Sequence, residues 1–173
     1  MDILPHDNVL QLSVRRSQNR ASSLSRSIPG PDHFVHIPSG KYVAEFVGAQ
    51  GFYYRGRSPK VALWFSISDG KYKGERVAAY YNVASLQCRP GQRVQQPSFS
   101  VGWRADLTAV LATLFPDRYS HVDLPTVIPE SEMEAARILI QIRTSKKTHK
   151  GQMRPEPFHN SVIDSISGWA GDF

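Results

Sequence analysis

The sequence predicts an all-β domain with one main helix, in the order strand, strand, strand, helix, strand, strand. Three observations carry this expectation. Three runs rich in β-branched and aromatic residues follow one another between Gly40 and Ser85, one run of helical period comes after them, and two more β-rich runs lie near the C-terminus.

The first three strands are expected at Lys41–Ala49, Lys60–Ser68 and Glu75–Val83, each short and bounded by Gly, Pro or Asp. Between the second and third, Asp69, Gly70 and Gly74 supply residues that accept the positive φ of a tight reversal, which makes this pair a hairpin. Alternation sorts the faces. Val61, Leu63, Phe65 and Ile67 share one side and read as core, whereas Ala62, Trp64, Ser66 and Ser68 share the other. The third strand sets Val77, Ala79 and Tyr81 against Arg76, Ala78, Tyr80 and Asn82, so Trp64 and Tyr80 are expected on one outer face. Leu86–Gly102 lacks a period and reads as a long loop. Ser100 then stands as an N-cap ahead of a helix at Trp103–Phe115, where Trp103, Leu107, Val110, Leu111 and Leu114 recur at helical spacing and Pro116 ends the run. Trp103 and Phe115 are expected in the core. Glu130–Ala136 reads as a helical turn, and Ile138–Arg143 and Asn160–Ile166 as the last two strands.

A chain of 173 residues with 40% hydrophobic content suits one domain, expected at 35–169, with a flexible basic arm at 1–34 and a short tail at 170–173. The net charge of +6 points toward a polyanionic partner. Arg15, Arg16, Arg20 and Arg26 make the arm either a phosphate-tracking tail or a solvated terminus without a role. The single cysteine, Cys88, rules out an internal disulfide framework, fits a reducing compartment and is expected to be buried. No apolar run approaches the roughly 20 residues of a membrane span and no signal-peptide core is present, so a soluble, cytoplasmic protein is expected. His33 and His36 bracket Phe34 and Val35 without a companion Cys or carboxylate cluster, and no metal or cofactor is expected. Nor does any nucleophile stand with a base at a recognisable spacing, and no Gly-rich phosphate loop precedes a helix, so the chain does not read as an enzyme.

The candidate binding residues fall in three places. Gln50–Pro59 reads as a loop that carries Phe52, Tyr53 and Tyr54 beside Arg55 and Arg57, and aromatics interleaved with arginines suit single-stranded nucleic acid, whose bases stack and whose phosphates attract cations. At least one of the three rings is expected to fold back onto the core. The outer face contributes Trp64, Arg76 and Tyr80, and the Thr144–His159 connection contributes Lys146, Lys147, Lys150 and Arg154. Trp64 is expected to be an exposed stacking platform, with burial under the Leu86–Gly102 segment or the N-terminal arm as the competing outcome. The element order matches the OB-fold, a five-stranded partly open barrel whose ligand site is the face of strands two and three, flanked by the first-to-second and fourth-to-fifth strand loops. All three groups map onto that site.

The runs IPSGKYVAEFVGAQ and KVALWFSISDGKYKGERVAAYYNV, with a Gly-x-Tyr opening strand and a later strand ending in Asp-Gly-x-Tyr-x-Gly, resemble the OB-fold single-stranded DNA-binding proteins of bacteriophages and mobile elements. The resemblance spans roughly Ile37 to Ile166. It implies largely sequence-independent binding of single-stranded DNA, or of RNA, in phage or mobile-element DNA replication or recombination. A homodimer and replication or recombination proteins are compatible further partners. The alternative is a protein-binding adaptor or inhibitor that uses the same fold without a nucleic-acid site.

Overall fold

In the computed structural model the described residues are 35–134, 136–145, 148–149, 152–153 and 160–171. Along the chain these form β1 (Gly40–Tyr54), β2 (Ser58–Ile67), β3 (Arg76–Asn82), β4 (Ser85–Leu86), β5 (Arg93–Gln95), β6 (Phe99–Ser100), α1 (Asp106–Leu114), α2 (Glu130–Met133), β7 (Arg137–Ser145), β8 (Thr148–His149), β9 (Gln152–Met153) and β10 (Asn160–Trp169). The expected arm at 1–34, with Arg15, Arg16, Arg20, Arg26 and His33, and the last two residues of the tail lie outside the described residues.

The main sheet is antiparallel in the order β10-β7-β1-β2-β3, and β5 pairs with the far end of β1 where β7 has ended. The molecule is therefore mostly β with one main helix, as the sequence predicts. The sheet is not closed into a barrel. Among the described residues the edge strands β3 and β10 come within 8 Å of each other between Cα atoms, but no ladder joins them. Register shifts at Ile163/Ser165 and Ile166/Gly168 twist β10 along its pairing with β7, and α1 packs against both edges.

The inner face is apolar by strict alternation. Val61, Leu63, Phe65 and Ile67 of β2 meet Val77 and Ala79 of β3, Ala44, Phe46 and Ala49 of β1, and Ile138, Ile140 and Ile142 of β7. Leu107, Leu111 and Leu114 of α1 and Met133 of α2 close the other side of this core. A bulge at Val47 lets β1 curl over the core, and the freed Ala49 N–H donates to Glu130 Oε1 at 3.0 Å, tying α2 to the bend. The β2–β3 reversal is the expected one, a single 3-10 turn at Gly70–Tyr72 with Gly70 at φ 73° and Gly74 at φ 86°.

Four expectations are corrected. The Gln50–Pro59 loop is mostly strand, because Phe52, Tyr53 and Tyr54 are strong β-formers that alternate across β1, and only Arg55, Gly56 and Arg57 remain as the turn. Ser100 is not the helix cap; it pairs with Ser85 in β6, their hydroxyls 2.7 Å apart, and α1 begins three residues after Trp103. Trp103 is consequently not core but 56% exposed, in a turn ahead of the helix. Cys88 is half-buried rather than buried. Phe115 does pack against the core, edge-on to Trp169 at 5.3 Å, and Trp169 Nε1 donates to Leu114 O at 2.7 Å, satisfying an orphan carbonyl at the end of α1. No helix among the described residues is long and apolar enough to cross a membrane.

Candidate nucleic-acid interface

The outer face of β5, β1, β2 and β3 follows from the ladder register. Arg93, Phe52, Lys60 and Asn82 stand opposite one another across the four strands, and the next row is Gln95, Gln50, Ala62 and Tyr80. Beyond them lie Gly48, Trp64 and Ala78, then Glu45, Ser66 and Arg76. Tyr54 and the Arg55–Arg57 turn extend the face past the first row.

Trp64 sits on this face, as alternation requires, but it is only 4% exposed. It forms a second small apolar cluster with Ala62 and Ala78, flanked by Val47 and Phe52. Neighbouring aromatics on the same sheet pack on it: Tyr80 meets Trp64 edge-on at 6.5 Å and meets Phe52 edge-on at 6.3 Å. Trp64 is thus the floor of the cluster rather than its surface. Tyr80 is the exposed ring, 48% accessible, held at right angles between two others. Burial of its hydroxyl end raises the Tyr80 phenol above its ordinary value, while the Arg93 guanidinium nearby acts in the opposite direction.

The cations gather at one end. The Arg93 guanidinium lies 5.9 Å from the Phe52 ring centre, and the Tyr54 ring is flanked by Arg55 at 5.3 Å and Lys60 Nζ at 5.7 Å. Lys60 also donates to Asn82 Oδ1 at 2.7 Å, which fixes its ammonium over the sheet. Arg55 holds its place at φ 51°, a left-handed conformation that costs a non-glycine residue about 1–2 kcal/mol. By contrast Arg118, Arg137 and Arg143 are each paired with a carboxylate, Glu132, Asp69 and Asp164 respectively. Arg93 faces aromatic rings and has no carboxylate partner among the described residues. Arg76 stands at the other end, in the row that carries Glu45.

Tyr54, Arg55, Trp64, Arg76 and Tyr80 therefore share one surface, with Trp64 beneath it, and Arg57 lies in the turn at its end. Tyr53 does not belong there. Its ring packs against the core and its hydroxyl donates to Leu86 O at 3.4 Å, which is the fold-back expected of one of the three loop aromatics. Lys146, Lys147, Lys150 and Arg154 lie outside the described residues; the described β8 and β9 pair antiparallel with each other. Sequence reasoning missed Lys60 and Arg93 and left Phe52 out of the contact set. Lys60 was readable from alternation, being on the Trp64 side of β2. Arg93 was not, because three residues of β5 inside an aperiodic stretch give no period to read. Among the described residues no group of three His, Cys, Asp or Glu is placed to hold a metal ion.

No family model, curated protein or solved structure matches the chain.

Proposed function

We propose that this protein binds single-stranded DNA, largely without regard to sequence, on the outer face of β5, β1, β2 and β3. The observation that carries the reading is the convergence of Tyr80, Phe52 and Tyr54 with Arg55, Arg57, Lys60 and Arg93 on one face whose cationic end carries no carboxylate in the register. Bases stack on exposed rings at about 1–3 kcal/mol each, and neighbouring cations neutralise phosphates. The strand order β10-β7-β1-β2-β3, with α1 between the third and fourth long strands, supports reading the open sheet as a partly open OB barrel. On this reading the protein acts in the cytoplasm of a bacterial host, in phage or mobile-element replication or recombination, and single-stranded RNA is the nearest competing ligand.

The burial of Trp64 favours a second reading, a protein-binding adaptor whose outer aromatics are covered by the chain itself. The exposure of Tyr80 counts against it. A titration of labelled single strand and matched duplex at two salt concentrations separates the two. If Arg55, Arg57, Lys60 and Arg93 each neutralise one phosphate, log affinity falls against log salt with a slope of about −2.8. Tighter binding to duplex, or binding indifferent to salt, would leave the adaptor reading in place.

A further inference from the structure

Among the described residues Arg93 is the one cation of the face that comes from beyond the β1–β2–β3 stretch. It lies on β5, in the stretch between β3 and α1, and that segment is locked in place from below. Leu86, Pro97 and Val94 press against Gly51 of β1 so closely that a Cβ there would fall 2.7 Å from the Pro97 side chain. The register then leaves Arg93 no alternative but to stand beside Phe52, at the edge of the face remote from β3. Its guanidinium rests near the Phe52 ring and close enough to Tyr80 to act on that phenol, while no acidic group pairs with it among the described residues. The arrangement is a charged wall beside two rings.

We infer that Arg93 is a phosphate-contacting residue and that β5 forms one wall of the interface, along which the backbone of the bound strand runs while its bases lie over Phe52 and Tyr80. The inference deepens the proposed function and rests on it. In the free protein the guanidinium lies over the Phe52 ring, 5.9 Å from its centre; a base that takes this ring displaces it toward the adjacent phosphate, so cation and base exchange places. A planar guanidinium suits both positions, since it stacks on a ring and also forks toward phosphate oxygens.

The test is the salt dependence of single-strand binding by the full chain carrying Arg93→Gln or Arg93→Lys, measured with a labelled oligothymidylate. Arg93 is exposed, so both variants are expected to melt with the wild type. Arg93→Gln should lower the magnitude of the log-log slope by about 0.7, which reduces its deficit relative to wild type by about 2.6-fold on going from about 50 to about 200 mM salt. Arg93→Lys, which keeps the charge, should keep the slope. An unchanged slope in Arg93→Gln, or tighter binding by that variant, would overturn the inference, the latter by showing that Arg93 only blocks the ring. If the wild-type protein binds no single strand at all, the proposed function itself falls, an outcome distinct from binding with an unaltered slope.

Discussion

Replacing Trp64 with alanine separates a floor from a platform. The side chain is almost wholly removed from water and touches Ala62, Ala78, Val47, Phe52 and Tyr80. A buried tryptophan hides about 150–250 Å². At about 25 cal/mol per Å² this corresponds to about 4–6 kcal/mol as an upper estimate, since the unfolded chain already hides part of that area. Measured Trp→Ala losses in cores run at about 3–5 kcal/mol, so about 4 kcal/mol is expected. For a domain of this size 1 kcal/mol moves Tm by about 3–4 °C, giving a fall of about 12–16 °C for Trp64→Ala. Tyr80→Ala, which truncates a half-exposed ring that also packs on Trp64, should lower Tm clearly less than Trp64→Ala does but weaken single-strand binding five-fold to more than a hundred-fold, the equivalent of about 1–3 kcal/mol. Calorimetry together with a binding titration well below the transition reads both quantities. The reasoning is refuted if Trp64→Ala melts within about 3 °C of the wild type while its affinity collapses, because Trp64 would then be the stacking surface.

Three further perturbations probe the supports of the face. Glu130→Ala strands the Ala49 N–H at the β1 bulge and should cost about 1–3 kcal/mol in denaturant unfolding, whereas Glu130→Gln keeps an acceptor and should cost clearly less; equal losses would show that the bond is idle. Burial, and secondarily Asp106, pushes the Tyr81 phenol well above its ordinary 10.0, so the fold prefers the neutral form. That contribution is complete below about pH 10, where the unfolded chain also keeps the proton, and it is lost as pH rises above 10; the alkaline fall in Tm should be shallower in Tyr81→Phe. Gly51→Ala forces a Cβ against Pro97, Leu86 and Val94, costs about 1–3 kcal/mol, and should reduce the salt slope of single-strand binding as Arg93→Gln does by loosening β5. A normal slope in that variant would mean that β5 keeps its place without the close packing.

The long strands were legible because their patterns are local. Alternation in Val61–Ile67 and the glycines of the β2–β3 reversal announce themselves within ten residues, and the observed strands contain the expected ones almost to the residue. What was not legible depends on contacts across the chain. Tyr53 and Tyr54 are chemically alike, yet the extension of β1 turns one inward onto Leu86 O and the other outward beneath Arg55 and Lys60. Trp103 fits helical spacing with Leu107 and Leu111, but Gly102 O accepts the Thr108 hydroxyl at 2.9 Å and the helix starts only at Asp106, so spacing misled where the helix start decided. Trp64 was assigned to the correct face and the wrong depth. Period two reports direction alone, and depth on an outer face depends on what the neighbouring strands carry.

That last distinction bears on how the face works. A tryptophan left in water on a flat sheet would be an aggregation hazard as much as a binding site. Here the large ring is sunk, and the rings that cover it are themselves half in solvent, so one packing event serves two ends. Trp64 gains burial, and Tyr80 is fixed by edge contacts on two sides. A tyrosine fixed in this way loses little further freedom when a flat ligand settles on it, which leaves more of the stacking energy as affinity. The same contacts would serve a protein partner equally well. On the proposed reading, what tilts the face toward a polyanion is the distribution of charge, because Arg118, Arg137 and Arg143 are paired with Glu132, Asp69 and Asp164 while Arg55 and Arg93 are set against rings. A cation kept over an aromatic instead of a carboxylate retains its charge toward solvent, and the proposed ligand, a chain of phosphates between stacked bases, would answer both features at once.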